Sequence, residues 1–211
     1  VHLGSGDVSP AASPSANVPS DPIEPGEDAG RRIQEALILA RPGDLVELGE
    51  GTFNLEATLS LDVHQVTIQG QGTDKTILSF KNQGAGTGGE GVSITSDDVL
   101  IENLAIEDSQ GDALKINGAE RITVRNVRAE WTDGPQETNG AYGIYPVQCS
   151  HVLVEQCTAI GASDAGIYVG QSHDVVVRRN RATANVAGIE IENCTRADVY
   201  ENVATGNTGG I

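Results

Sequence analysis

The sequence predicts an all-β chain: a single-stranded right-handed parallel β-helix, that is, a solenoid, with an N-terminal capping α-helix. Three observations carry this expectation. One segment recurs as VLIENLAI (99–106), ITVRNVRA (122–129), VLVEQCTA (152–159), VVVRRNRA (175–182) and, more weakly, ADVYENVA (197–204). A second ladder runs in step through ALKI (113–116), GIYP (143–146), GIYV (166–169), GIEI (188–191) and Gly210-Ile211. The copies start 23, 30, 23 and 22 residues apart, so each period holds at least two short strands with their turns. Repeats of this kind stack as coils about 4.8 Å apart and pair through the backbone. Composition agrees. Aromatics are 3 % while glycine reaches 26 of 211, as expected for a Val, Ile, Leu and Ala core in many short elements.

Residues 1–26 are rich in Ser, Pro, Ala and Gly, with few large apolar groups to offset ordering entropy, and read as a disordered linker. Residues 27–211 form the β-helix domain. Within it, 28–40 is the one convincing helix, with Ile33, Ala36, Leu37 and Ala40 on one face. Asp28 is its expected N-cap and Arg41-Pro42-Gly43 its stop. The helix caps the first coil, because an open β-helix end exposes unpaired strand edges. LVEL (45–48), ATLSL (57–61), QVTIQ (65–69) and TILSF (76–80) follow as short strands, and GAGTGGEG (84–91) as a flexible loop. In the second ladder Leu114, Ile144, Ile167 and Ile189 stack inward, beside Ile116, Pro146, Val169 and Ile191. Asn180 and Asn202 match across coils and read as an amide ladder at a turn.

A net charge of -17 leaves no basic patch for phosphates, which argues against nucleic acid, and no apolar run approaches a membrane span. The absence of methionine predicts a lost leader, and the ending at Ile211, on the first inward residue of a new strand, predicts a fragment with missing coils. Such an uncapped edge also offers self-association end to end. Cys149, Cys157 and Cys194 make an odd set without CxxC spacing. Cys149 and Cys194 lie two coils apart, too far for a disulfide, and read as small thiols in turn stacks. His151 and His173 read as turn residues.

The outward residues of the second ladder form a column of Lys115, Tyr145, Tyr168 and Glu190. The long fourth coil extrudes WTDGPQETNG (131–140) near it. A carbohydrate groove lined by Trp131, Tyr142, Tyr145, Tyr168, Glu190 and Lys115 is one reading, with tyrosine faces for stacking and Glu for hydroxyls. The other is that these residues stack on one another and cover backbone. No catalytic residue is assigned. No cofactor is required, with Ca²⁺ as a candidate from scattered carboxylates that include Asp108, Asp112, Glu192 and, as weak ligands, Asp133, Glu137 and Asp164. A lyase would need a basic side chain as its base, for which Lys115 is the best placed.

IQEALILARPGDLVELGEGTFN (33–54) with VTIQGQGTDKTILSF (66–80) resembles the start of pectin-lyase-like β-helix proteins. NGAYGIYPVQCSHVLVEQC (139–157), GASDAGIYVGQS (161–172) and VAGIEIENCTRADVYENVATGNTGGI (186–211) resemble a bacterial exported family known as parallel β-helix repeat-containing proteins. That resemblance implies export to the periplasm, the outer membrane by a tether, or the outside, and brings no activity. Tyr142-Gly143-Ile144-Tyr145-Pro146-Val147-Gln148 is similar to the Tyr-Gly-Ile/Phe-Asp-Pro-His-Asp of mannuronan epimerases, but Tyr145, Val147 and Gln148 replace the working Asp, His and Asp. Three classes of function stand at this point. The first is an exported scaffold of the cell envelope that binds polysaccharide or an envelope protein. The others are a polysaccharide lyase or epimerase, and a stacked structural subunit.

Overall fold

The computed structural model describes residues 18–84 and 89–211. The expected linker therefore lies mostly outside the described residues, as does the centre of the 84–91 loop. Residues 18–26 depart from the linker reading. Ile23 is buried, donates its N–H to the Glu47 carbonyl at 2.8 Å and accepts from the Gly49 N–H at 2.9 Å. Ile23 with its two backbone bonds, Val18 packed against the core and the Arg32 guanidinium on the Glu24 carbonyl seat this stretch.

Helix α1 (Ala29–Leu39) buries Ala29, Ile33, Ala36 and Leu37. Asp28 makes no side-chain cap; its carboxylate instead takes Arg31 at 2.8 Å and Arg32 at 2.9 Å. The capping of the first coil is chemical as well as steric. The Gln34 amide donates to the Ser60 carbonyl at 2.9 Å and accepts from the Ser60 N–H at 2.8 Å, satisfying an exposed strand edge.

After the helix the chain winds through three faces per coil. The first coil is β1 (Leu45–Glu47), β2 (Gly51–Asn54) and β3 (Leu59–Leu61); the second is β4 (Thr67–Gln69), β5 (Thr76–Ser79) and β6 (Val92–Ile94). In the third, β7 (Leu100–Glu107) runs through two faces before β8 (Leu114–Asn117), and in the fourth β9 (Glu120–Glu130) does so before β10 (Ile144–Val147). The fifth is β11 (Ser150–Glu155), β12 (Thr158–Ile160) and β13 (Ala165–Gly170), and the sixth β14 (His173–Arg178), β15 (Arg181–Thr183) and β16 (Ala187–Glu192). β17 (Thr195–Tyr200) and β18 (Val203–Thr205) follow. Each strand pairs in parallel with its counterpart one coil away, giving the right-handed parallel β-helix. The expected segments at 45–48, 57–61, 65–69 and 76–80 are strands, while β2 and β6 lie outside them.

The predicted stack is formed. Leu114, Ile144, Ile167 and Ile189 are in register and buried. Asn180 accepts from the Cys157 N–H at 2.8 Å and donates to the Val154 carbonyl and to Asn202, both at 3.0 Å. A second amide ladder, Asn185 on Asn207, repeats this pattern one corner further on. The three cysteines are free, with Ser172 between the coils of Cys149 and Cys194. Burial pushes the Cys157 thiol up to about 12.

The corners bend by left-handed residues. Gly43, Gln65 and Asp98 just before the first face, and Arg121, His151, Asp174 and Arg196 at the second position of its later strands, all have positive φ. Outward on that face, charges alternate by coil. Arg125 meets Glu102 at 3.4 Å and Glu155 at 2.8 Å, and Arg178 meets Glu155 at 2.7 Å.

Hydrogen bonding from Arg125, then from Arg178, holds the Glu155 carboxyl below its usual range against the opposing effect of burial. A depressed folded value gives stability that is full above the unfolded value, about 4.3, and is lost as pH falls through the folded one. Glu155→Gln is expected to lower the urea midpoint at neutral pH and to flatten its fall between about pH 5 and 3. A midpoint-versus-pH curve parallel to wild type would show that the pairs add nothing.

Candidate functional site

The third face places Lys115, Tyr145, Tyr168 and Glu190 on four successive coils. Lys115 is in register with Tyr145, and Tyr168 with Glu190. Tyr142, three residues before Tyr145, ends the turn into the same face. Its ring lies 4.6 Å from Tyr145 and 4.7 Å from Tyr168, centroid to centroid, and Tyr145 and Tyr168 are 5.2 Å apart, edge to face. These tilted and edge-on arrangements are the favourable ones for aromatic quadrupoles. Glycine is required between Tyr142 and Ile144, since a Cβ on Gly143 would stand 2.5 Å from the Gly166 carbonyl oxygen of the next coil.

Five of the six expected groove residues thus share one face. Tyr168 forms its floor: it is 7 % exposed, and its hydroxyl donates to Glu192. Tyr142 and Tyr145 are the reachable rings. Trp131 is a correction. It is 4 % exposed, packs into the core at the corner between the second and third faces, and donates its indole N–H to the Ser109 carbonyl at 2.8 Å. The little of it that is exposed lines a small pocket with Lys81, Asp108 and Asp133, apart from the tyrosines.

Four residues of the site, Glu90, Asp112, Asp164 and Glu192, are missing from the expected groove list. At one end, Glu90 and Asp112 hold the Lys115 ammonium at 3.4 and 3.6 Å, and that ammonium stands 5.5 Å over the Tyr145 ring. At the other, Asp164 joins Glu190 and Glu192 around Tyr142 and Tyr168. Register was the available signal: Asp112 occupies in the third coil the place Tyr142 holds in the fourth, since Leu114 pairs with Ile144. Burial, partly opposed by Lys115, raises the Asp112 carboxyl, and burial with the charges of Asp164 and Glu192 raises Glu190. Burial and the Asp164 carboxylate push the Tyr142 phenol up to about 12.

The weak calcium candidates do not converge. Asp133 pairs with Lys81 at 3.3 Å, Glu137 lines a cleft beside Val186, and Asp164 sits by Tyr142. Among the described residues no three His, Cys, Asp or Glu side chains group to hold a metal ion. Val147 is buried and Gln148 sits exposed at a left-handed corner. His151 and His173, expected in turns, instead stand at the starts of β11 and β14, with rings 6.2 Å apart and carboxylates of Glu120 and Asp174 nearby. Among the described residues no helix is long and apolar enough to cross a membrane.

Among solved structures, ORF18 of Geobacillus virus E2 is similar over 85 % of this chain at 13 % identity and a TM-score of 0.64. This chain spans 38 % of that protein's length. The pectin methylesterase PemA from Erwinia chrysanthemi is similar over 77 % of this chain and 73 % of its own, at 11 % identity and a TM-score of 0.44. The catalytic unit of a GH87 alpha-1,3-glucanase from Streptomyces thermodiastaticus strain HF3-3 is similar over 91 % and 47 %, at 19 % identity and a TM-score of 0.44. At these identities the likeness is one of fold. No curated protein matches the chain. A family model described as the right handed beta helix region matches residues 65–211. With most of its length inside that match and its coils wound as described, the chain belongs to the right-handed β-helix family.

Proposed function

We propose that the chain is an exported β-helix binding protein whose third face takes polysaccharide. The observation that carries this is the tyrosine cluster. Tyr145 on β10 and Tyr142 in the turn before it are half-buried rings, braced from below by Tyr168 and flanked by carboxylates that accept from hydroxyls. Rings held in this way pay little entropy on stacking against a sugar. The exported placement, in the periplasm, on the outer membrane or outside the cell, rests on the resemblance of residues 27–211 to exported proteins.

The test is retention on an array of neutral and charged glycans, with and without calcium. Tyr142→Ala combined with Tyr145→Ala is expected to weaken retention by about tenfold or more, at about 1 kcal/mol per ring, with an unchanged circular dichroism spectrum. Retention equal to wild type would remove the face from the binding site. An enzymatic reading is favoured by the two raised carboxyls, Asp112 and Glu190, one at each end of the tyrosines. It requires turnover of a retained glycan that is lost in Asp112→Asn or Glu190→Gln.

A further inference from the structure

We propose that the third face selects a cationic amino-sugar polymer, with free ammonium groups on its pyranose rings, over a polyuronide. The inference rests on the carbohydrate reading and names its substrate class.

The first support is the disposition of positive charge. A uronide carboxylate is received most strongly by an uncommitted cation. Lys115, on this face, is already engaged by Glu90 and Asp112. The arginines lie on other faces and corners, most of them committed: Arg125 and Arg178 to Glu155, Arg128 to Glu107, Arg121 to Asp98 and Arg196 to Asp174, while the exposed Arg181 stands on the second face, not the third. An incoming carboxylate would meet Asp164, Glu190 and Glu192 instead.

The second support is independent of the carboxylates' number. The Lys115 ammonium shows how this face holds a primary ammonium, 5.5 Å over the Tyr145 ring and between two carboxylates. The far end repeats those components, with the Tyr142 and Tyr168 rings beside Asp164, Glu190 and Glu192, and carries no lysine. Among the described residues Glu190 has no hydrogen-bond or ion-pair partner, and the charges of Asp164 and Glu192 help to raise its carboxyl. An ammonium there relieves that repulsion while its pyranose stacks on the reachable rings.

The experiment is calorimetric titration of the whole chain in mildly acidic buffer at about 0.15 M salt, where long-range attraction is screened. The probes are a glucosamine hexamer, its fully N-acetylated counterpart, a galacturonate hexamer and hexalysine. The expected order places the glucosamine hexamer about tenfold or more tighter than the N-acetylated one, with the galacturonate hexamer weakest. Glu190→Gln, and separately Asp164→Asn, is expected to weaken the glucosamine hexamer by about tenfold and the N-acetylated one by clearly less, erasing most of that preference. Urea midpoints near wild type would show both variants folded.

Galacturonate bound as tightly as glucosamine overturns the proposal, as does hexalysine bound equally well. A preference that survives both carboxylate variants also overturns it, since attraction to the chain's overall charge would then suffice. Equal binding of the glucosamine and N-acetylated hexamers overturns the proposal while the carbohydrate reading stands. Silence with every sugar overturns both.

Discussion

Trp131→Ala is expected to lower the free energy of unfolding by about 3–5 kcal/mol, the range for removing a buried large aromatic. The indole fills the corner where the fourth coil leaves its second face, and its N–H satisfies the Ser109 carbonyl one coil below. It also supports the extruded loop, which is tied down around it. Asn139 donates to the Gly134 and Gly161 carbonyls at 2.9 and 2.6 Å, and Thr132 donates to Asp108 at 2.8 Å. Trp131→Phe keeps most of the apolar volume and orphans the Ser109 acceptor, so a smaller loss of about 1–3 kcal/mol is expected. Urea unfolding followed by circular dichroism measures both, because the native fluorophore is gone. A loss below about 1 kcal/mol for the alanine variant would mean that the indole fills no space the neighbours need.

Asn180→Leu is expected to cost about 3 kcal/mol or more, although leucine fits the side chain's volume and gains apolar surface. The substitution leaves the Cys157 N–H without its acceptor and the Val154 carbonyl without its donor, both inside the solenoid. Each orphaned buried group costs about 1–3 kcal/mol. Asn202→Leu is the internal comparison. Asn202 is half-buried, so water reaches part of what it leaves, and a smaller loss is expected. Equal losses at the two sites would show that the amide ladder adds no more than its exposed end does.

The fold was legible where the coils repeat. The spacing of inward residues in the main segment carries the cross-section as well. Val152 and Val154 are followed by Cys157 and Ala159, and Val175 and Val177 by Asn180 and Ala182, a step of two, then three, then two. The odd step is the corner between two faces, occupied by Gln156 and Arg179 at positive φ. Turn chemistry does not announce an arginine or an alanine in that conformation, because paired neighbours above and below impose it. β2 and β6 escaped the reading because the first two coils lack the later motif.

The tyrosine face was legible from outward periodicity, since Lys115, Tyr145, Tyr168 and Glu190 stand at one position of the repeat. Trp131 was misplaced because a tryptophan opening a glycine-rich loop looks exposed. Only the geometry shows that the loop closes over it. Glu90 was hidden by the spacing from Lys115, which one coil of winding removes.

The alternating charges on the first face bear on how the chain avoids assembling wrongly. Coils built from near-copies are interchangeable to the backbone, so the natural error is to skip one and pair each strand with the next but one. Here a skipped coil would set Glu102 against Glu155, or Arg125 against Arg178, like charge on like at pairing distance. From Glu102 to Arg178 the correct neighbours bring opposite charges together. The face thus acts as a parity check on coil order, rejecting the one-coil deletion that hydrophobic stacking alone would accept.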